Sequence, residues 1–252
     1  RDYYVGMLKG AILSQAPDVN IIDLSHEIKP FYILEAAFAV KHAYPSFPKG
    51  TIHLISVNPE MNEDLRYVVV KMDGHYFISA DNGVFSMIFD KEIEAVYGLE
   101  NITSRSVTFP SRDLFVTAAC HIAKGGTLEV LGKRLPGISQ RPMLVPVFHG
   151  SSTIQGSVVH IDRYENAITN ITEDMFKTFG KGRPFEICFH RSGDNIRRIH
   201  SAYHQVSMGE KLAIFNCNGF LEIAQNQGNA ASLLGIDLGS VIRIEFYDRT
   251  VG

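Results

Sequence analysis

Residues 51–83 read TIHLISVNPEMNEDLRYVVVKMDGHYFISADNG, and this stretch decides the fold class. Its first nine residues form an apolar run that ends in the turn pair Asn58-Pro59, which predicts a strand. The polar stretch EMNEDL separates it from two further runs, YVVVKM and HYFISA, joined by Asp73-Gly74. A central pair of this kind favours the left-handed turn that closes a β-hairpin. Upstream, ILEAAFAVKHAYPSF (33–47) spaces its apolar residues as a helix does and stops at Pro48-Lys49-Gly50. VNIIDLS (19–25) reads as a further buried strand, and DLFVTAACHIAKGG (113–126) as a short helix with glycine at its C-terminal end. Strands alternating with helices predict an α/β fold class: an N-terminal α/β domain over residues 1–140 with a largely parallel sheet.

The pattern changes after residue 140. RPMLVPVFHGSS (141–152) holds two prolines and little periodicity, and reads as a linker. Beyond it come the short β-type segments GSVVHIDRY, PFEICFH, KLAIFN, FLEIAQ and SVIRIEFYD, with one helical stretch, EDMFKTF (173–179). This predicts a C-terminal β-barrel or sandwich domain over residues 153–252.

A formal charge of −3 gives no reason to expect a nucleic-acid or anionic-membrane partner. No apolar run approaches the ~20 residues of a spanning helix, and no signal peptide is visible. Cys120, Cys188 and Cys217 fit no CxxC spacing and read as reduced thiols of a cytoplasmic protein. The ten histidines are scattered, and no metal site is expected.

In α/β sheets, ligands lie beyond the carboxyl ends of the strands. That rule selects Asn58, the ADNG turn at 80–83 and the DLSH stretch at 23–26. No GxGxxG, Walker or GxSxG motif follows these strands, so dinucleotide, P-loop and nucleophile-elbow chemistry lose support. In the second half, DRYENAITN (162–170) combines an acid, an aromatic and two amides, and NCNGFLEIAQNQGNAA (216–231) carries six amide side chains. Amides donate and accept, which suits the edge of a flat heterocycle, and an aromatic ring can stack on its face. The same amides beside glycine suit turns, Asp162 suits a turn or cap, and Tyr164 suits packing, so both readings stand. In TFPSRDLF (108–115), Asp113 can serve as a helix N-cap.

The ordered set RDYYVGMLKGAIL, DLSHEI, FPKGTIHLISVNP, YFISADNGVFS, TFPSRDLF, HIDRYENAITNI and LEIAQNQGNAA resembles the S-adenosylmethionine hydroxide adenosyltransferase family nearly end to end. The superfamily also holds the fluorinase and chlorinase. The resemblance implies a homotrimer in which S-adenosylmethionine sits between the N-domain of one subunit and the C-domain of a neighbour. It implies displacement of methionine from the 5′ carbon of the adenosyl group by water, hydroxide or halide, with no metal or organic cofactor. Carried over residue by residue, it implies ligand contacts at Asp2, Phe31, Phe109, Ser111, Asp162, Tyr164, Asn166, Asn216, Cys217, Asn226 and Asn229. Of these, Asp2 and the Asn216-Cys217 pair match groups around the methionine moiety, and Tyr164 matches the ring that stacks on adenine.

The family's water-activating aspartate, arginine and histidine read here as Asn58, Leu65 and Pro110, with Arg66 one place from the arginine. Ser111 stands where the fluorinase has a halide-binding serine. The candidate catalytic residues are therefore Asn58, Arg66 and Ser111. The family's Asp-Phe-Gly, whose aspartate grips the ribose diol, would precede Arg1, and a first strand is expected to be missing. Three functions follow: an adenosine-forming hydrolase, a non-catalytic adenosyl-compound sensor, and an S-adenosylmethionine-dependent halogenase.

Overall fold

Val68, Val69 and Val70 are all buried, so the strand that carries them is covered on both faces. The computed structural model describes residues 3–59, 65–103, 108–142, 144–189 and 195–248. The chain divides into two units, Arg1–Pro142 and Met143–Gly252. The first runs α1 (Tyr4–Gln15), α2 (Ile33–Ala43), β1 (Ile52–Leu54), β2 (Tyr67–Met72), β3 (His75–Ala80), α3 (Val84–Ile88), β4 (Ala95–Gly98) and α4 (Val116–Ala123). Val68, Val70 and Met72 pack with Ala36, Ala37 and Val40 of α2 and with Phe85 of α3. Tyr67 and Val69 pack on the other face with Leu114, Phe115 and Ala118. Two covered faces explain why the YVVV run shows no polar alternation.

The sheet order is β1-β3-β2-β4. Only β1 and β3 pair in parallel, whereas β2 pairs antiparallel with both β3 and β4. The expected largely parallel sheet is thus a mixed one. The cause is the hairpin: Asp73 (φ 49°) and Gly74 (φ 71°) both take left-handed conformations, and a two-residue turn can join only antiparallel neighbours. VNIIDLS also departs from expectation. Residues 19–25 form no strand, and Ile22 and Leu24 are exposed, because the run finds no strand partner among the described residues. In its place α1 packs Leu8, Ala11 and Ile12 against Val116 and Cys120 of α4. Helix α2 follows its predicted span, with Glu35 in the first turn and Lys41 and His42 in the last, the arrangement its dipole favours.

The second unit runs β5 (Val147–His149), β6 (Thr153–Ile161), β7 (Ala167–Thr172), α5 (Glu173–Gly180), β8 (Phe185–Phe189), β9 (Ile199–His200), β10 (Lys211–Phe215), β11 (Phe220–Gln225), α6 (Ala230–Leu234) and β12 (Val241–Phe246). The strands form one sheet in the order β8-β12-β6-β7-β11-β10-β9, with β5 pairing on β6. β5 lies inside the stretch expected as a linker. A single apolar cluster gathers Ile154, Ile171, Ile187, Leu221, Ile223 and Ile244 from five of these strands, so the sheet curls around its own core. Strand pairing does not join β8 to β9 among the described residues, although Ile187 of β8 bridges to Ile196 just ahead of β9. The Thr172 hydroxyl caps α5 by accepting from Met175 N.

Candidate active site

At the carboxyl ends of β1 and β3, the side chain of Asn82 holds the chain that leaves β1. Its Nδ2 donates to the carbonyls of Val57 (3.1 Å) and Asn58 (3.0 Å), while its Oδ1 accepts from Val84 N (3.1 Å). Asn58 is fixed there at φ 49°, a conformation asparagine tolerates better than most residues. One residue earlier, Asp81 is almost sealed, its side chain 1% exposed. Its carboxylate accepts from Arg66 Nη2 (2.7 Å), Ser139 N (2.8 Å) and Ser139 Oγ (3.0 Å). Leu65 packs into the apolar cluster around Tyr67 and Val69, and Arg66 lies against Asp81 with its side chain 42% exposed. The guanidinium thus has a buried anchor and an accessible surface, a combination suited to a ligand-facing cation.

Ser111 opens a π-type turn, Ser111–Phe115, that runs directly into α4. Single π turns inside helices are frequent at functional sites. Pro110 precedes it in helical geometry (φ −60°), where the missing N–H costs nothing. The residue at the family's histidine position therefore starts a helix here. The buried Ser111 hydroxyl makes a short hydrogen bond to that of Ser56, which lies just beyond β1. Phe109 meets the Tyr4 ring edge-on at 5.1 Å and carries the Arg112 guanidinium 5.6 Å above its ring. Arg112 Nε donates to Asp113 (2.6 Å), and the Asp113 side chain is not the N-cap that the sequence allowed, since the turn begins at Ser111.

Phe31 is 67% exposed and sits at φ 69°. A bulky residue in that region stores roughly 1–3 kcal/mol of strain, an outlier that points to a functional loop. His26 lies on the surface, 3.1 Å from Asp23, which Lys9 also contacts at 2.6 Å. Hydrogen bonds from Lys9 and His26 hold the Asp23 carboxyl below its usual range. Asp2 lies outside the described residues.

In the second unit, Asp162 shapes a loop. Its Oδ1 accepts from the backbone N–H of Tyr164 and Asn166, both at 2.9 Å, and its Oδ2 from Asn166 Nδ2 at 3.1 Å. The loop throws Tyr164 outward, 76% exposed. Glu165 takes φ 61°, and its backbone and side chain bind the start of α6. Asn216 Oδ1 accepts from Asn218 N (3.0 Å) and Phe220 N (3.2 Å) and so closes the Asn218-Gly219 turn, with Cys217 exposed on it. Asn226 Nδ2 donates to Val206 O (2.8 Å), and Asn229 is exposed ahead of α6. Asp162 and Asn166 form their turn, and Asn226 ties its loop to the distant Val206 carbonyl. The structure also brings forward Glu222, which the sequence reading passed over. It is 3% exposed and accepts from Tyr203 Oη (2.6 Å) and Asn216 Nδ2 (3.3 Å), and burial pushes its carboxyl pKa up. Among the described residues no group of three or more His, Cys, Asp or Glu could hold a metal ion.

Residues 1–132 match the model of the SAM hydroxide adenosyltransferase N-terminal domain, and residues 156–243 that of the C-terminal domain. A protein of Methanocaldococcus jannaschii named (R)-S-adenosyl-L-methionine hydrolase is 29% identical over 251 residues, covering 96% of this chain and 90% of the relative. A Nocardia brasiliensis fluorinase is 23% identical over 287 residues, covering 97% and 93%. The crystal structure of an uncharacterized conserved protein from Thermotoga maritima superposes with a TM-score of 0.88 at 30% identity, covering 97% of this chain and 95% of that one. Two domain models, matched in order and over most of its length, place this chain in the S-adenosylmethionine hydroxide adenosyltransferase family.

Proposed function

We propose that the protein is an adenosyl hydrolase that converts S-adenosylmethionine and water into adenosine and L-methionine. Water oxygen bonds to C5′ as the C5′–S bond breaks, the electron pair leaves with the sulfur, and a proton passes to solvent. The observation that carries this reading is the polar rim at the ends of β1 and β3. There, Asn82 fixes the Asn58 backbone, the Ser56 and Ser111 hydroxyls pair, and Asp81 anchors Arg66. The two hydroxyls and the Asn58 amide can orient a small nucleophile by donating and accepting. Orientation is the main demand of such a displacement, since holding the reactants in line is worth roughly 7–11 kcal/mol. Phe31 and Phe109 supply apolar walls, and Arg66, held by Asp81, completes the polar rim. Tyr164 stacks on the adenine, Asn229 borders it, and Asn216 with Cys217 takes the amino-acid end. Asp162, Asn166 and Asn226 act by holding these loops. The protein works as a homotrimer and needs S-adenosylmethionine only as substrate.

One observation favours a second reading. Asn58 and Pro110 cannot accept a proton, and neither replaces the family's aspartate and histidine as a base. A protein that binds an adenosyl compound without turnover would fit that loss. Incubating the purified protein with S-adenosylmethionine, with and without chloride or fluoride, and separating products by chromatography decides between them. The hydrolase reading expects adenosine and methionine in equal amounts, independent of halide, with release abolished in Asn58→Ala. Tight binding without products supports the sensor, and halogenated adenosine supports the halogenase.

A further inference from the structure

Strand alternation sends Leu221 and Ile223 into the core of the second unit and Glu222 to the opposite face. That face is also dry. Glu222 shares it with Leu212, Ile214 and Ala224, and the 3₁₀ turn Tyr203–Gln205 closes over it through the Tyr203 hydroxyl. A carboxyl buried among apolar neighbours is costly unless hydrogen bonds compensate. The two it receives offset part of that cost and also fix their donors. Asn216 Oδ1 is already occupied by two backbone N–H groups, so its Nδ2 must turn toward Glu222. One N–H of that amide goes to Glu222, and the other meets no acceptor among the described residues. Pairing of β11 with β7 shifts register between Phe220 and Glu222, which re-aims the chain at this point. Tyr203, Asn216 and Asp162 are the polar groups that face Glu222, and Asp162 adds like charge to the effect of burial.

We propose that Glu222 is a positioning residue that orients the Asn216–Gly219 turn to receive the carboxylate of a nucleoside bearing an α-amino acid. The proposal rests on the functional reading above and adds to it a residue that never touches the ligand. A carboxylate under a carboxylate site repels its ligand once ionised, whereas a neutral side chain of the same shape does not. The glutamate thus makes recognition of the amino-acid end dependent on pH. Recognition of adenosine, which lacks that end, stays independent of it.

Calorimetric titration of the full chain with S-adenosylmethionine and with adenosine, across pH 5.5 to 8, tests this. In the wild type, the ratio of the two affinities should move toward S-adenosylmethionine as pH falls. Glu222→Gln, which keeps both hydrogen bonds once Tyr203 rotates to accept, should retain both affinities within about threefold and flatten that pH dependence. Glu222→Leu should weaken S-adenosylmethionine about tenfold and adenosine less than about threefold. Equal weakening of both ligands, or of neither, overturns the proposal. Should Glu222→Leu not fold, Asn216→Ala must reproduce the selective loss and be indifferent to added Glu222→Gln. Any other result overturns the proposal. A wild-type chain that binds neither ligand removes the functional reading and this proposal together. Wild-type binding of both, with an unchanged ratio in Glu222→Leu, removes this proposal alone.

Discussion

Beyond β1, the amide of Asn82 clamps the carbonyls of Val57 and Asn58, and the carboxylate of Asp81 grips Arg66 and Ser139. In the loop after β6, the carboxylate of Asp162 does comparable work on Tyr164 and Asn166. The difference lies in what each network leaves over. In the first unit polar groups remain outward, namely Ser56 and the end of Arg66. In the second the hydrogen bonds are consumed by the loops, and what remains outward is chiefly a ring, Tyr164, and the tip of the 216–219 turn. Polar residues of the same types therefore leave hydrogen-bonding groups at the surface in one region and are spent on scaffolding in the other.

The sharpest way to break that contrast is Asp81→Ala. It strands the Arg66 guanidinium and two Ser139 donors, and is expected to cost about 3–4 kcal/mol in urea unfolding. A cost below about 1 kcal/mol would mean that the first unit's network is ornamental.

Buried titratable groups sharpen the contrast, because the two units should respond to pH with opposite sign. His53 lies 3.3 Å from His75, and burial, aided by the charge on His75, lowers its pKa from 6.5 to about 4. A depressed base is neutral in the folded state, so its contribution is present above about pH 6.5 and is lost as pH falls toward 4, up to about 3 kcal/mol. Comparing unfolding at pH 7.5 and 4.5, His53→Phe should show the shallower dependence. Glu222 runs the other way. Its raised pKa favours the protonated form in the fold, so its contribution is present below about pH 4.5 and declines as pH rises. Glu222→Gln should therefore gain on the wild type in melting temperature from pH 4.5 to pH 8. A difference that stays constant would show that Glu222 does not titrate abnormally.

The smallest effect concerns the ring. Tyr164→Ala should change stability by less than about 0.5 kcal/mol, because the side chain is exposed. It should weaken adenosine binding about fivefold, the worth of one aromatic stack. A large stability loss would reassign Tyr164 from ligand contact to packing.

Elements governed by local chemistry were legible. The Asp73-Gly74 hairpin, helix α2 and the turn at Asn218-Gly219 follow from turn residues and periodicity alone. Elements governed by partners were not. Helix α1 carries Gly6 and Gly10 and owes its place to packing on α4. VNIIDLS has strand composition but pairs with no strand among the described residues. Glu222 was invisible for the same reason, since alternation along FLEIAQ points it away from the core and its cover comes from the distant Tyr203 turn. Ser111 was legible as a candidate from its motif, whereas its hydroxyl partner Ser56 required the fold.

In the proposed reaction, water attacks C5′ of S-adenosylmethionine. Turnover in water enriched in heavy oxygen, followed by mass spectrometry of both products, tests it directly. The account predicts that the heavy oxygen appears in adenosine, at the 5′-hydroxyl, and never in methionine. Adenosine formed without the label, or no adenosine from a protein that binds the substrate tightly, would contradict it.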